Sequence, residues 1–183
     1  ASLFRATGFC AGPDQVRLAE LMAGLRDPDA RAIILARGGY GLLRILAAIE
    51  PDLLRLAAKP IVGFSDGSLL LAQAARAGLA AIHGPVVTQI GRLADEDRDA
   101  LFAALEQPDA RSLCSGLDAL VGGHAQGPLL GGNLEVFSRM LGTPYLPDLR
   151  GAILFFEDVG ERPYRIARLL TQLELAGVFQ AAA

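Results

Sequence analysis

Apolar residues recur at three-to-four spacing between Pro13 and Arg26. Val16, Leu18, Leu21, Met22 and Leu25 would share one face of a helix there. Asp14 stands near its start, where a carboxylate suits the helix dipole, and Asp27-Pro28-Asp29 ends it. The pattern then becomes continuous. Ala32-Ile33-Ile34-Leu35-Ala36 is a short apolar run of the kind found in a buried parallel strand. Gly38-Gly39-Tyr40-Gly41 turns the chain into a second helix, from Leu42 to Ile49. Pro60-Ile61-Val62-Gly63 predicts the next strand and Ser68 to Ala77 the next helix. Ala80-Ala81-Ile82 is a third strand-like piece, ending at His83-Gly84-Pro85.

Asp95 to Leu105 reads as a charged amphipathic helix. From Ser112 to Gly132 the texture changes to glycine and small residues, which suggests a domain boundary near Arg111 to Gly116. The division is 1–112 and 113–183. A helix from Leu134 to Leu141, a strand from Ala152 to Phe156 and a helix from Arg165 to Ala176 follow, with Gly177 as its C-cap. Strands alternating with helices imply an α/β fold built on a parallel sheet. Functional loops of such sheets leave the carboxyl ends of the strands. Arg37–Gly41, Phe64–Ser68 and His83–Val86 would therefore line one cleft.

Composition narrows the function classes. The 183 residues carry a net charge of -3, with arginines scattered among acids, so there is no basic footprint for nucleic acid or an anionic membrane. Cys10 and Cys114 make no disulfide framework and no Cys/His cluster suited to zinc. No apolar run reaches the length of a membrane helix, and the first residues do not resemble a secretory leader. The expected setting is soluble, reducing and cytoplasmic.

The candidate chemistry centres on Gly63-Phe64-Ser65-Asp66-Gly67, which matches the Gly-x-Ser-x-Gly elbow of hydrolases. A serine hydroxyl needs a base in reach and donors for its oxyanion. The Asp66 amide at a helix start and a glycine amide of Arg37–Gly41 are the candidate donors. Taken alone, the motif is more often a plain helix cap. The glycine loop lacks the endings of a P-loop or dinucleotide fingerprint, and a tight turn is its simpler role. Glu157 and Asp158 close a strand, where a carboxylate can orient a histidine or merely face solvent. Asp158 and Glu161 are expected to face solvent or to pair with Arg162 and Arg165. His83 lies near the proposed cleft, but a lone histidine there is more often structural. His124 carries no motif. Asn133 opens a helix as a good N-cap and could also offer an amide to a substrate.

Six segments in series are more specific than any one. They are Arg37-Gly38-Gly39-Tyr40-Gly41, Gly63-Phe64-Ser65-Asp66, His83-Gly84-Pro85, Gly131-Gly132-Asn133-Leu134, Gly142-Thr143-Pro144-Tyr145 and Phe156-Glu157-Asp158. Together they resemble the LD-carboxypeptidase family, the S66 serine peptidases. That family includes muramoyltetrapeptide carboxypeptidases and microcin C self-immunity peptidases. Ala11-Gly12-Pro13-Asp14 and Tyr164-Arg165-Ile166 add to the likeness.

The resemblance implies a flavodoxin- or Rossmann-like N-terminal domain and a smaller, β-rich C-terminal one. It implies a Ser-Glu-His triad with Ser65 as nucleophile and Glu157 as the glutamate. Asp66 and Gly39 would provide the oxyanion amides, and Tyr40, His83 and Asn133 are candidate substrate contacts. No metal or cofactor is implied. The substrate would be a peptide with an L,D-bond, such as a murein tetrapeptide ending in D-alanine, and the assembly a homodimer.

The family's histidine lies beyond the glutamate, where neither His83 nor His124 falls. The family also begins with a further strand-helix segment, so the chain is expected to be a piece lacking both ends and nearly inactive alone. Smaller departures are Gly67-Ser68, where the family has a larger residue and threonine, and Ala167, where it has aspartate. Competing expectations are a degenerate, peptide-binding homologue, a microcin-type self-immunity peptidase and a nucleotide-binding α/β domain.

Overall fold

The computed structural model describes residues 4–107 and 116–183. The expected boundary at Arg111 to Gly116 lies almost wholly outside them, as does Cys114. The first half begins with α1 (Asp14–Arg26), β1 (Ile33–Ile34), α2 (Leu42–Ile45) and α3 (Pro51–Ala57). It continues with β2 (Ile61–Gly63), α4 (Ser68–Arg76), β3 (Ile82–His83), α5 (Val87–Ile90) and α6 (Asp95–Glu106). The second half carries β4 (Leu129–Asn133), α7 (Leu134–Ser138), β5 (Ile153–Glu157), α8 (Pro163–Leu175) and α9 (Val178–Ala181).

The strands β1, β2 and β3 form a parallel sheet in that order, with Ile33 beside Ile61 and Gly63 beside His83. This is the α/β architecture the alternating pattern predicts. A second parallel pair joins β4 to β5, from Leu129 beside Ile153 to Asn133 beside Glu157.

Most helix boundaries fall within a few residues of the periodic pattern, because each helix buries one apolar stripe. In α1, Leu25 is buried and Leu18, Leu21 and Met22 pack on the core, whereas Val16 is exposed. The predicted helix from Leu42 to Ile49 divides into α2 and a 3₁₀ turn (Leu46–Ala48). The predicted helix from Leu134 ends at Ser138 and continues as turns through Met140 and Leu141. Gly177 follows α8 in the left-handed conformation, as a residue closing a helix should.

Four elements escape the pattern, the short α5 and α9 among them. Pro51 starts α3 from the first helical position, where its missing N–H costs nothing. The strand β4 is hidden by its glycines, which normally disfavour strands. A Cβ on Gly131 would lie 1.8 Å from the Phe155 carbonyl oxygen, so only glycine permits this approach to β5.

One apolar cluster runs through both halves, from Leu25, Ile45, Leu46, Leu54 and Ile61 to Leu134, Phe137, Met140, Leu173 and Val178. The helix α4 sits at its centre, with Leu69, Leu70 and Ala74 buried. Its buried polar side chains are satisfied across the halves, as buried polar groups must be. The Gln73 Nε2 donates to the Tyr145 carbonyl at 3.2 Å, and the Ser68 Oγ accepts the Asn133 N–H at 3.0 Å. Among the described residues, no helix is long and apolar enough to cross a membrane.

Candidate active site

The strand β2 is buried throughout and runs straight into Phe64-Ser65. Ser65 has φ 58, a left-handed conformation that costs a non-glycine residue about 1–2 kcal/mol. Such strain persists only where surrounding structure enforces it, and it clusters at functional sites. Ser65–Gly67 form a 3₁₀ turn that feeds α4. The first N–H groups of such a turn have no acceptor within it, and the amide of Asp66 is one of them.

The Arg37–Gly41 loop lies against this elbow. A Cβ on Gly38 would stand 2.8 Å from the Ser65 Cβ and 3.3 Å from its Oγ. The backbone of the loop therefore touches the serine side chain directly. Gly39 and Gly41 have φ 129 and 121, values open only to glycine in practice. Tyr40 projects outward and is exposed. The third loop folds back on the first, since Val87 and Thr88 donate to the carbonyls of Leu35 and Ala36 at 3.0 Å.

His83 ends β3 beside Gly63, and its ring lies between Phe64 and Phe155, with centroids 5.5 and 5.2 Å away. Its Nε2 is 3.6 Å from the Glu157 Oε1. This approach is no ion pair at neutral pH. Burial lowers the His83 pKa below its ordinary value, which keeps the imidazole neutral. Burial also raises the Glu157 pKa, opposed by a hydrogen bond from Asn133 and reinforced by the Asp158 charge. Both His83 nitrogens, the Glu157 Oε1 and the Asp158 Oδ2 are buried without a hydrogen-bond partner. Four such atoms around one strand end make a polar, under-satisfied surface, the kind that reacting groups occupy.

Asn133 opens α7, and its Oδ1 accepts the Val136 N–H at 3.1 Å. Its Nδ2 reaches the Glu157 carbonyl at 3.5 Å. The predicted cap is thus present, and it also braces the end of β5. The loop at Ser65, the glycine loop, His83, Asn133 and Glu157 are brought into one region. Glu161 is largely covered and pairs with Arg165, while His124 is exposed in the loop before β4. Among the described residues no group of three acids, histidines or cysteines could hold a metal ion.

The approach of His83 to Glu157 is the contact that reasoning from the sequence missed. A faint signal existed, because both residues close strands of a parallel fold and strand ends share one edge.

Comparison with known proteins places the chain in a family. Residues 2–84 match the LD-carboxypeptidase N-terminal domain, and residues 126–183 match the LD-carboxypeptidase C-terminal domain. The chain belongs to the LD-carboxypeptidase (S66) family. It is 40% identical, over 96% of its length, to a Bacillus subtilis (strain 168) protein described as a "Probable murein peptide carboxypeptidase". It is 39% identical, over 90% of its length, to the murein tetrapeptide carboxypeptidase of Pseudomonas aeruginosa. It spans 57% of the length of each of these two relatives. The crystal structure of muramoyltetrapeptide carboxypeptidase from Oxalobacter formigenes superposes with a TM-score of 0.82 at 31% identity, covering 94% of this chain and 60% of that one.

Proposed function

We propose that the protein is a serine carboxypeptidase that hydrolyses an L,D-peptide bond and releases the terminal D-alanine of a murein tetrapeptide. The observation that carries this reading is Ser65. It is held left-handed at a strand-to-helix elbow with the Gly38 backbone against its side chain, in a chain whose relatives include a murein tetrapeptide carboxypeptidase.

The chemistry follows from the parts. An imidazole oriented by the Glu157 carboxylate takes the proton from the Ser65 Oγ, which attacks the scissile carbonyl. The amides of Asp66 and Gly39 stabilise the oxyanion of the tetrahedral intermediate. Collapse expels the D-alanine amine, which receives the proton from the imidazolium. Water, deprotonated by the same imidazole, then releases the acyl group from Ser65. Tyr40, His83 and Asn133 border this region and are the proposed substrate contacts. The cytoplasm and a homodimer are the proposed setting and assembly.

In the family pattern the triad histidine follows the glutamate, and residues 158–183 contain none. The histidine is accordingly proposed to come from a segment outside these residues, and residues 1–183 alone to be nearly inactive. The 3.6 Å approach of His83 to Glu157 favours a second reading, in which His83 is itself the oriented imidazole.

One assay separates the two readings. D-alanine release from murein tetrapeptide is measured on the full-length gene product and on residues 1–183, with Ser65→Ala and His83→Ala. Loss of a triad member lowers kcat by roughly three orders of magnitude or more. Turnover by residues 1–183 that needs both Ser65 and His83 supports the second reading. Turnover by the full-length product that survives Ser65→Ala refutes both.

A further inference from the structure

An oxyanion loop helps only if its donor sits within about 0.5 Å of the productive position. The Arg37–Gly41 loop cannot ensure this by itself, since two of its glycines occupy left-handed backbone regions and lend no stiffness. It must be held from outside. Arg17 supplies one tether, its guanidinium donating to the Gly41 carbonyl at 3.0 Å. Ser65 supplies a steric stop at Gly38.

The third tether comes from the residue after the nucleophile. The Asp66 Oδ2 accepts the Leu42 N–H at 2.7 Å. The contact joins residues 24 apart in sequence. It links the end of the loop to the turn that carries Ser65.

We propose that the Asp66 carboxylate is a positioning residue that clasps the Arg37–Gly41 loop to the nucleophile turn and so fixes the spacing between the two oxyanion donors. The proposal rests on the reading of Ser65 as the nucleophile. Asp66 then has two separate tasks. Its amide faces the developing oxyanion, and its side chain sets where the other amide stands. Partial burial raises the Asp66 pKa, while the Leu42 N–H, the Arg17 charge and the Gly41 N–H hold it down and Glu135 opposes them. These bonds recover part of the desolvation cost, as expected of a carboxylate kept for its acceptor geometry.

A plain helix cap would affect stability alone, so the test reads catalysis and geometry separately. In the full-length gene product, Asp66→Ala is expected to lower kcat by about 10- to 100-fold, with KM within about threefold. Asp66→Asn, which keeps one oxygen for Leu42, should restore most of that loss. A wild-type kcat in Asp66→Ala overturns the proposal, and so does a loss confined to KM. On the unmodified protein, the Leu42 amide proton shift must follow protonation of the Asp66 carboxyl in a ¹⁵N-resolved pH titration. A Leu42 amide that ignores this titration overturns the clasp whether or not the variant folds. Absence of Ser65-dependent turnover in the wild type removes the parent reading instead, and the Leu42 titration still decides the clasp.

Discussion

Replacing Gly38 with alanine tests the site by the smallest available perturbation, one methyl group. The backbone at Gly38 lies outside the left-handed region, so alanine brings no torsional penalty there. The added Cβ would meet the Ser65 Cβ at 2.8 Å, about 0.6 Å short of ordinary contact at 3.4 Å. Neither partner is free to yield. Ser65 is fixed by the elbow, and its Oγ and the Phe64 carbonyl lie 3.3 and 3.5 Å from the same point. The loop must therefore lift by roughly half an ångström, which would carry the Gly39 amide, the proposed donor, away from the oxyanion. Overpacking of this size costs about 1–3 kcal/mol of stability. Losing one oxyanion donor costs about 10²- to 10³-fold in kcat. Thermal melting and D-alanine release, measured on the same full-length preparation, should show a folded protein with kcat reduced on that scale. A folded Gly38→Ala protein with wild-type kcat would refute the assignment of this loop to the oxyanion hole.

Other changes should separate fold from chemistry. Gly131→Ala puts a Cβ 1.8 Å from the Phe155 oxygen at φ 149; it should cost more than about 4 kcal/mol and yield little folded protein by circular dichroism. Ser65→Gly relieves a left-handed residue and should raise stability by about 0.5–1 kcal/mol in urea unfolding while abolishing turnover, whereas Ser65→Ala keeps the strain. Glu157 holds its proton to a higher pH in the native state than in the unfolded chain, since burial raises its pKa. Its stabilising contribution is present below the ordinary glutamate value and is lost as the pH rises through the raised value. Glu157→Gln should therefore raise Tm near pH 7 more than near pH 4, and an equal shift at both would contradict the burial argument.

The sequence made some of this legible and hid the rest for physical reasons. Helices α1, α4 and α8 announce themselves because each keeps apolar residues against the common core, and α6 by a charged amphipathic pattern that buries Leu101. The elbow was readable because Gly63 and Gly67 flank Ser65, and the cap at Asn133 because its side chain suits that position. The strand β4 was not readable, since Gly131 and Gly132 are chosen for closeness to Phe155 and Ser68 and not for strand propensity. The approach of His83 to Glu157 was only faintly readable, from both residues closing strands. It joins residues from strands of two different sheets, and no periodicity within one segment records that. The Asp66 clasp is silent, because a carboxylate after a candidate nucleophile looks like a local helix-start acid.

The bonds that join the halves have a kinetic consequence. Ser68 meets Asn133 across 65 residues, and Gln73 meets Tyr145 across 72. Both sheets are parallel, so no hairpin can seed them. Chains dominated by distant pairings pay loop-closure entropy before they gain contacts, and they fold slowly. The elbow and Glu157 come into register when α4 docks on β4, which is expected to be a late event. Refolding after denaturant removal should therefore regain helical signal first and the Ser68–Asn133 and Gln73–Tyr145 bonds between the halves last. A half-folded molecule would then hold the proposed nucleophile apart from Glu157.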